Sequence, residues 1–270
     1  MKQYEGQKHG TDSFPVGIYN TVFNDGFSLY PHIHRECEFL VMSEGRGVLY
    51  IEEEKFEIKK GEGIFINSEE LHIGIKTDSE KAEFYAVVFA PEIFGSAFGD
   101  RVFDKFVEPV LSGKIQFNKK IDKDSVSLVE KIFKNRDNEL CVKACLFEIW
   151  NNCFKSAKET SHASSNKNIE DVKKVMEYMT NHCSEQLSLD EIASFANISK
   201  GYLCRQFTSF VHRTPFEYLI DVRIDKSCEY LKNTNLSIGE IATHCGFNSF
   251  SYFSKVFREK MGCSPKDYRR

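Results

Sequence analysis

The sequence predicts a two-domain protein of the α+β class, with a β-rich N-terminal domain flanked by helices and an all-α C-terminal domain. Three observations support this prediction: the length of the chain, a change in its hydrophobic period, and an internal repeat near the C-terminus. With 270 residues the chain is too long for one average domain. Two domains of this size can each bury a hydrophobic core.

The period of the apolar residues changes near residue 90. Residues 14–90 contain short apolar or alternating runs separated by Gly, Asn and Asp, a rhythm typical of strands and turns. Between residues 91 and 158 the spacing approximates the 3.6-residue period of a helix, as shown by Leu140, Ala144, Phe147, Ile149, Trp150 and Phe154. We therefore expect a sheet followed by a helical layer that either covers the sheet or pairs with a second subunit.

A polar stretch separates the two domains. Residues 156–168, SAKETSHASSNKN, offer almost no apolar side chain for burial. The sequence thus predicts an N-terminal domain over 1–160, a linker over 161–168 and a C-terminal domain over 169–270.

Composition narrows the class of protein. No apolar run approaches the roughly 18 residues that a membrane span requires. Nine cysteines without a C-x-x-C pair are typical of a reduced compartment, so we expect a cytoplasmic protein without a disulfide framework. The net charge is −4, yet residues 166–270 carry 15 basic and 13 acidic side chains. A local basic surface for a nucleic acid is therefore compatible with the acidic average.

The internal repeat has an offset of about fifty residues and indicates two copies of one supersecondary unit. The residues that recur at offset 49 are Ser188, Glu191, Ile192 and Ala193, matched by Ser237, Glu240, Ile241 and Ala242. Those that recur at offset 50 are Ser199, Phe207, Thr214, Pro215 and Tyr218, matched by Ser249, Phe257, Ser264, Pro265 and Tyr268.

Each copy has the signals of a helix, a tight turn and a second helix. Ser188 and Ser237 each precede a glutamate by three residues, which is the capping-box pattern. Asn197 and Gly246 are suited to end the first helix, because these residue types readily adopt the left-handed conformation. The pattern predicts helix-turn-helix units over 188–210 and 237–260, joined by a helix that starts at Thr214.

The second helix of each copy is amphipathic. A helical wheel places Leu203, Phe207 and Phe210 on the packing face of the first copy. In the second copy the packing arc holds Phe250, Tyr252, Phe253, Val256 and Phe257. The opposite faces carry Arg and Lys, which suit contacts with guanine edges or phosphates.

This domain resembles the DNA-binding domain of the AraC/XylS family of bacterial regulators. The resemblance is carried by IGEIATHCGFNSFSYFSKVFREKMGCSPKDYRR, with its Gly-Phe turn and its closing Ser-Pro-x-x-Tyr-Arg. It implies a non-enzymatic regulator that binds double-stranded DNA as a homodimer, engages RNA polymerase and activates transcription more often than it represses. Together the wheel and the resemblance predict DNA contacts from Lys200, Gly201, Cys204, Arg205, Ser251, Ser254, Lys255 and Arg258. Phe250 lies near the groove by the resemblance and at the edge of the packing face by the wheel.

The N-terminal domain carries a histidine motif, Gly26-x5-His32-x-His34-x3-Glu38-x6-Gly45, followed by His72. This pattern resembles that of cupins, which are small β-barrels, and it implies a cupin-like barrel in which the four side chains converge. The AraC-family resemblance implies that the barrel binds a small effector, commonly a sugar or related metabolite. We expect no metal or other cofactor; the alternative is a divalent metal held by His32, His34, Glu38 and His72. The effector-lining candidates are the same four residues with Tyr19 and Tyr30.

Two other functions stay open at this stage. The first is a metal-dependent cupin enzyme, which the His/His/Glu/His set favours. The second is a redox-responsive regulator, which the cysteine count and Cys204 at the groove edge favour.

Overall fold

The computed structural model of the chain describes residues 9–24, 26–76, 81–95, 99–160 and 167–269. The chain divides into two compact units, Met1–Ser164 and Ser165–Arg270. The predicted α+β class, with a β-rich first unit and a helical second unit, is confirmed.

The first unit opens with eight strands in its described residues. They are β1 (Val16–Phe23), β2 (Leu29–His32), β3 (Cys37–Glu44), β4 (Arg46–Ile51), β5 (Glu54–Lys59), β6 (Gly63–Ile66), β7 (His72–Ile75) and β8 (Ala82–Phe89). Three two-residue strands follow later, β9 (Ile115–Gln116), β10 (Lys120–Ile121) and β11 (Lys158–Glu159).

These strands form two main sheets. Across the described residues one sheet has the order β1-β8-β3-β6-β10 and the other the order β2-β7-β4-β5, while β9 and β11 make a small separate pair. All pairings are antiparallel.

The expected cupin-like barrel takes the form of two packed sheets that strand pairing does not close into one. A closed barrel needs an unbroken ladder of strand hydrogen bonds, and no ladder joins the two sheets within the described ranges. Their inner faces instead share one apolar core, which includes Phe27, Leu40, Leu49, Ile58 and Phe84. The two sheets are therefore held together by side-chain packing, as in a β-sandwich.

A helical layer covers the other face of the five-stranded sheet. It begins with a 3₁₀ turn (Pro91–Phe94), a π-helical turn (Phe103–Val107) and α1 (Glu108–Leu111). It continues with α2 (Lys123–Lys134) and α3 (Glu139–Lys155). Trp150 of α3 packs on Phe65 and Phe89 of the sheet. The helices thus cover the sheet, which is one of the two roles expected for them.

Three residues of the predicted α3 stripe, Leu140, Ala144 and Phe147, are exposed. Leu140 is 79% exposed and Phe147 is 42% exposed, whereas Ile149 and Trp150 are buried. The spacing grouped them with the buried residues because it describes one helix alone, while the sheet covers only one side of α3.

The second unit is helical throughout its described residues. Its elements are α4 (Lys167–Asn181), α5 (Leu189–Phe195), α6 (Lys200–Val211), α7 (Pro215–Asn233), α8 (Ile238–His244), α9 (Phe250–Met261) and α10 (Pro265–Arg269). Most of the predicted linker, residues 161–166, lies outside the described residues. The last two linker positions are corrected to helix, because α4 starts at Lys167 and Asn168 accepts a hydrogen bond from the Tyr202 hydroxyl.

No helix in the described part of the chain is both long enough and apolar enough to cross a membrane.

Candidate functional site

The two predicted helix-turn-helix units are present, as α5–α6 and α8–α9. Both first helices start with a complete capping box, Ser188 with Glu191 and Ser237 with Glu240. In each box the glutamate amide donates to the serine Oγ over 3.2 Å. A third box, Thr214 with Glu217, starts the joining helix α7. These boxes satisfy amide groups that a helix start otherwise leaves unpaired.

The turns inside the units also repeat. Asn197 has φ 54° and Gly246 has φ 84°, so both adopt the left-handed conformation that ends a helix. Behind each of them the next amide donates to an alanine carbonyl of the preceding helix, from Ile198 to Ala193 and from Phe247 to Ala242. The chain then enters α6 and α9 through the serine caps Ser199 and Ser249.

The second helix of each unit exposes the face that was predicted to read DNA. In α6, Lys200, Gly201 and Arg205 are exposed and Cys204 is half-buried. In α9, Ser251, Lys255 and Arg258 are exposed and Ser254 is half-buried. The packing residues Leu203, Phe207 and Phe210 of α6 are buried, as expected.

Tyr252 of α9 is corrected from the packing face to the surface, and Phe250 lies at the surface, in agreement with the position that the family resemblance gave it. Phe250 is 54% exposed and Tyr252 is 48% exposed, whereas Phe253, Val256 and Phe257 fill the core. Phe250 is the first residue of α9. The exposed face of α9 is thus partly aromatic, which adds apolar contact surface to its basic groups.

Intramolecular ion pairs reduce the availability of some candidate side chains for contact with DNA. The Lys200 Nζ lies 3.0 Å from Asp190 Oδ1 of α5, so this ammonium already has a carboxylate partner. Lys255 is 3.9 Å from Glu259 one turn later, a longer contact between two exposed side chains. A methyl group at Gly201 would lie 3.6 Å from the Arg205 guanidinium, in ordinary contact. Arg205 therefore lies over Gly201.

Hydrogen bonds join the turn between α8 and α9 to the segment that precedes α5. Arg223 of α7 donates from Nε to the Cys183 carbonyl and from a terminal nitrogen to the Glu185 carbonyl, each over 2.7 Å. The Gln186 amide donates to the Gly246 carbonyl over 3.1 Å and accepts from Asn248 over 2.7 Å. These contacts join α7 and the turn before α9 to the segment that precedes α5, and they could not be predicted because they link residues far apart in sequence.

A buried carboxylate on α7 also pairs with a lysine of α9. Asp221 of α7 is buried and pairs with Lys260 of α9, while Arg213 lies 3.5 Å away in the turn between α6 and α7. An aspartate on the buried side of an amphipathic helix was the available signal for this ion pair, since a buried charge requires a partner.

The predicted histidine cluster is present in the N-terminal unit, Met1–Ser164. One ligand atom from each of His32, His34, Glu38 and His72 lies within 4.8 Å of the others. His32 and His72 are direct partners on the paired strands β2 and β7, and their ring centroids are 3.9 Å apart. Glu38 comes from β3, so the cluster joins the two sheets.

Glu38 lies at the centre of the cluster. Its Oε2 is 3.3 Å from His34 Nε2 and 3.6 Å from His72 Nε2. Burial opposes a charge on Glu38, but the adjacent His34 and His72 rings hold the pKa of its carboxyl well below the usual range. The structure therefore places a buried carboxylate among imidazoles.

The imidazoles differ from one another. Burial, together with the neighbouring His72 and His34 rings, lowers the pKa of His32 well below its ordinary value, so its ring is neutral. Burial is the largest single influence on His34 and acts against its protonation, but the hydrogen bond and charge of Glu38, together with the contacts to Glu36, outweigh it and raise the pKa of His34.

The tyrosine candidates lie at different distances from this cluster. Tyr19 of β1 is half-buried, and its hydroxyl is 2.9 Å from His9 Nδ1. The His9 ring in turn lies 5.7 Å from the His34 ring. Tyr30 contacts the cluster through its backbone carbonyl, which accepts from His32 Nδ1. His9, which the sequence motif did not include, therefore joins Tyr19 to the cluster.

Comparisons with known proteins agree with both units. Residues 16–113 match the family model described as AraC-like ligand binding domain, and residues 192–270 match the model described as Helix-turn-helix domain. The HTH-type transcriptional regulator YdeC of Bacillus subtilis is 26% identical, over 97% of this chain and 94% of its own. The HTH-type transcriptional activator RhaS of Klebsiella pneumoniae is 22% identical, over 97% and 96%.

Among solved structures, ToxT from Vibrio cholerae aligns over 94% of this chain and 97% of its own. The TM-score is 0.51 at 14% identity, which supports the shared two-domain fold. The AraC-like ligand-binding match precedes the helix-turn-helix match along the chain, and relatives that align over 97% of the chain are named as transcriptional regulators, so this chain belongs to the AraC family of transcriptional regulators.

Proposed function

We propose that this transcriptional regulator reads specific double-stranded DNA with α6 and α9, and that a small ligand bound in the first unit controls it. The observation that carries the proposal is the pair of helix-turn-helix units, which share capping boxes and turns and are linked through Arg223 and Gln186. A scaffold fixed in this way presents two reading helices in one geometry, which suits two successive parts of one DNA site.

The reading residues differ in their roles. Arg205 and Lys255 are exposed near the middle of α6 and α9, where they can reach base edges or phosphates. Arg258, Ser251 and Ser254 extend the α9 surface. The remaining candidates are secondary ones. They are Lys200, already paired with Asp190, and Gly201 and Cys204, which add little polar surface.

We assign the protein an activating role as a cytoplasmic homodimer that engages RNA polymerase. RhaS, which matches over nearly the whole chain, is named as an activator. The exposed Leu140 and Phe147 on α3 supply apolar surface that a second subunit can cover.

The ligand site of this proposal is the histidine cluster with Tyr19, Tyr30 and His9 beside it. The sequence resemblance favours a sugar or related metabolite. A solved structure of ToxT is described as bound to an aryl-butenoic acid, so an organic acid is a second ligand class to test. We propose binding rather than turnover there, since the relatives matched over the full chain are named as transcriptional regulators.

The thiols give little support to the redox alternative. Burial raises the pKa of Cys37, Cys153 and Cys245 to about 12 in each case, which keeps these thiols protonated and unreactive. A redox function would then depend on half-buried cysteines such as Cys204.

The experiment that tests the proposal is fluorescence anisotropy with DNA from the region flanking the gene, at several salt concentrations. We expect specific binding that weakens with salt. The double variant Arg205→Ala/Lys255→Ala should lose it. Lys174→Ala, which removes an exposed lysine from α4, serves as the control for lost charge. Equal binding by the double variant and the control would contradict the assignment of α6 and α9.

A further inference from the structure

The histidine cluster has features that a sugar site does not require. Its four side chains point their ligand atoms at one small volume, and three of them are almost fully buried: His32, Glu38 and His72 are 5%, 3% and 0% exposed. A sugar offers hydroxyl groups that must reach donors and acceptors spread over a wider surface. The cluster is instead of the size that holds a single ion.

The orientation of the histidines is fixed by the backbone. Nδ1 of His32 lies 2.8 Å from the Tyr30 carbonyl, Nδ1 of His34 lies 3.0 Å from the Glu36 carbonyl, and Nδ1 of His72 lies 2.9 Å from the Glu70 carbonyl. A carbonyl oxygen only accepts, so each Nδ1 must be the donor. In a neutral ring this leaves Nε2 with an unshared electron pair. Metal-binding histidines are oriented by the same kind of outer hydrogen bond.

The cluster therefore brings acceptor atoms together. The Glu38 carboxylate accepts only, and the neutral imidazoles beside it offer Nε2 as an acceptor. His72 Nε2 is buried and has no hydrogen-bond partner, because its 3.6 Å distance to Glu38 Oε2 is too long for a hydrogen bond. A proton on His34 can satisfy one of these contacts but not the others. A cation between the four groups satisfies all of them.

Two distances in the cluster are close to those between the ligands of a bound metal ion, and the donor atoms indicate the class of ion. Four ligands at the usual Zn–N and Zn–O lengths stand about 3.3 Å apart along the edges of a tetrahedron. Glu38 Oε2 lies 3.3 Å from His34 Nε2 and 3.6 Å from His72 Nε2. Three imidazole nitrogens with one carboxylate suit Zn²⁺, Fe²⁺, Mn²⁺ or Co²⁺, whereas Mg²⁺ and Ca²⁺ prefer oxygen ligands.

We propose that His32, His34, Glu38 and His72 bind one divalent transition-metal ion, and that this ion is the ligand through which the first unit regulates DNA binding. The first part stands on the geometry of the cluster alone, and the second part rests on the proposed function. The proposal differs from the sequence-based expectation of a site without metal, and it names the four residues that would donate to the ion. An ion bound there would cross-link the two sheets, because Glu38 belongs to one sheet and His32 and His72 to the other.

The test begins with metal binding by the full chain, purified without a polyhistidine tag and stripped with a chelator. Titration with Co²⁺ should give one equivalent of bound ion with visible d–d absorption, which Zn²⁺ displaces. His72→Ala and Glu38→Gln should each weaken binding by about 100-fold or more, since loss of an outer-sphere partner alone costs 10 to 100-fold. His182→Ala, which removes a histidine paired with Glu185 on the surface of the second unit, should bind as the wild type does.

Two further measurements on the wild type keep the test decisive if a cluster variant fails to fold. The fluorescence of Trp150, the only tryptophan of the chain, reports unfolding of the first unit, and Zn²⁺ should raise the melting temperature that it shows. X-ray absorption at the zinc edge should show nitrogen and oxygen neighbours at roughly 2.0 to 2.1 Å, without sulfur. Failure to bind Co²⁺ and Zn²⁺, or a sulfur-containing shell, overturns the site.

DNA binding separates this inference from the proposed function. The same preparations are compared by anisotropy with and without Zn²⁺, and we expect at least a fivefold change in DNA affinity that disappears in the Glu38→Gln variant. An unchanged affinity in a protein that does bind metal overturns the regulatory role of the ion and leaves the site. If neither form binds DNA while metal binds, the proposed function fails and the metal site stands.

Discussion

The first and second helix-turn-helix units have the same internal framework but different surroundings. Phe207 packs on Tyr218 with ring centroids 5.6 Å apart, and Phe257 packs on Tyr268 at 5.5 Å. At the next pair of equivalent positions the units diverge. The Tyr202 hydroxyl donates to Asn168 of α4, whereas Tyr252 is largely exposed on α9.

The reading faces differ as well. The α6 face is small, with Gly201 beside Arg205, while the α9 face carries Phe250, Lys255 and Arg258. The capping boxes and the packed Phe–Tyr pairs are thus kept between the copies, whereas the exposed faces of α6 and α9 are not. Packing and capping constrain the first set, whereas the exposed side chains are free of those constraints.

The largest expected effect tests whether the two cores are equivalent. Phe207→Ala and Phe257→Ala should each reduce the free energy of unfolding by about 3–5 kcal/mol, because both rings are fully buried. Amide hydrogen exchange of the second unit, followed by NMR, gives these free energies. Thr208→Ala, an exposed neighbour on α6, is the control. Markedly unequal losses would mean that the two cores are not equivalent.

Substitutions in the two turns should change the free energy of unfolding by unequal amounts. Gly246→Ala should destabilise the second unit by about 2 kcal/mol, since φ is 84° and the added methyl would lie 2.5 Å from the Cys183 carbonyl oxygen. Asn197→Gly, at the equivalent turn, should change stability by less than about 1 kcal/mol. The same exchange measurement compares them. A tolerated Gly246→Ala would show that the contact with Cys183 does not restrict the turn.

DNA contacts give the next effect. Arg205→Ala should cost about 1–3 kcal/mol of binding free energy and relax the preference at one base pair. Lys255→Ala should act alike, but on the other half of the site. Binding of a panel of singly substituted operators, measured by anisotropy, locates the affected base pairs. If both variants alter the same base pair, the two units do not read separate parts of the site.

The caps should be nearly interchangeable. Ser188→Ala and Ser237→Ala should each destabilise their helix by about 1 kcal/mol, because each serine accepts the same hydrogen bond from a glutamate amide. Ser188→Thr and Ser237→Thr retain the acceptor oxygen and are the controls. Exchange of the α5 and α8 amides measures the effect, and a loss confined to one unit would disprove the equivalence.

The smallest expected effect is a loss of stability at acidic pH. The hydrogen bonds from Ser188 and Ser237 lower the pKa of Glu191 and Glu240 below the ordinary value of 4.5. Because these values are depressed in the folded state, the stabilisation is present above pH 4.5 and is lost as the pH falls through the folded pKa. NMR titration of the two carboxyl carbons should give similar midpoints below 4.5. A midpoint at or above the ordinary value would contradict the prediction for that unit.

Much of this architecture was predictable because its signals are local. A capping box spans four residues and a left-handed turn is set by one, so Ser188, Ser237, Asn197 and Gly246 could be assigned from the sequence. The histidine motif was also readable, since three of its four members lie within seven residues.

The remaining features depend on contacts between distant segments. Nothing near Arg223 in the sequence indicates that it reaches the Cys183 carbonyl, forty residues away. The position of Phe250 could not be settled from a wheel, because a wheel gives the direction of a side chain but not what lies in front of it. Whether strand pairing closes the two sheets of the barrel could not be predicted for a similar reason, because closure depends on pairing between strands that are remote in sequence.

The link between Arg223, Gln186 and the turn at Gly246 has a consequence for how such a regulator can acquire new targets. A single inserted residue in α7 would turn everything after it by about 100° and shift it by about 1.5 Å, which breaks that link. Substitutions on α6 or α9 leave it untouched. New operators therefore have to arise by exchange of surface side chains while the separation of α6 and α9 stays constant. Related promoters should then differ in their bases but share one spacing.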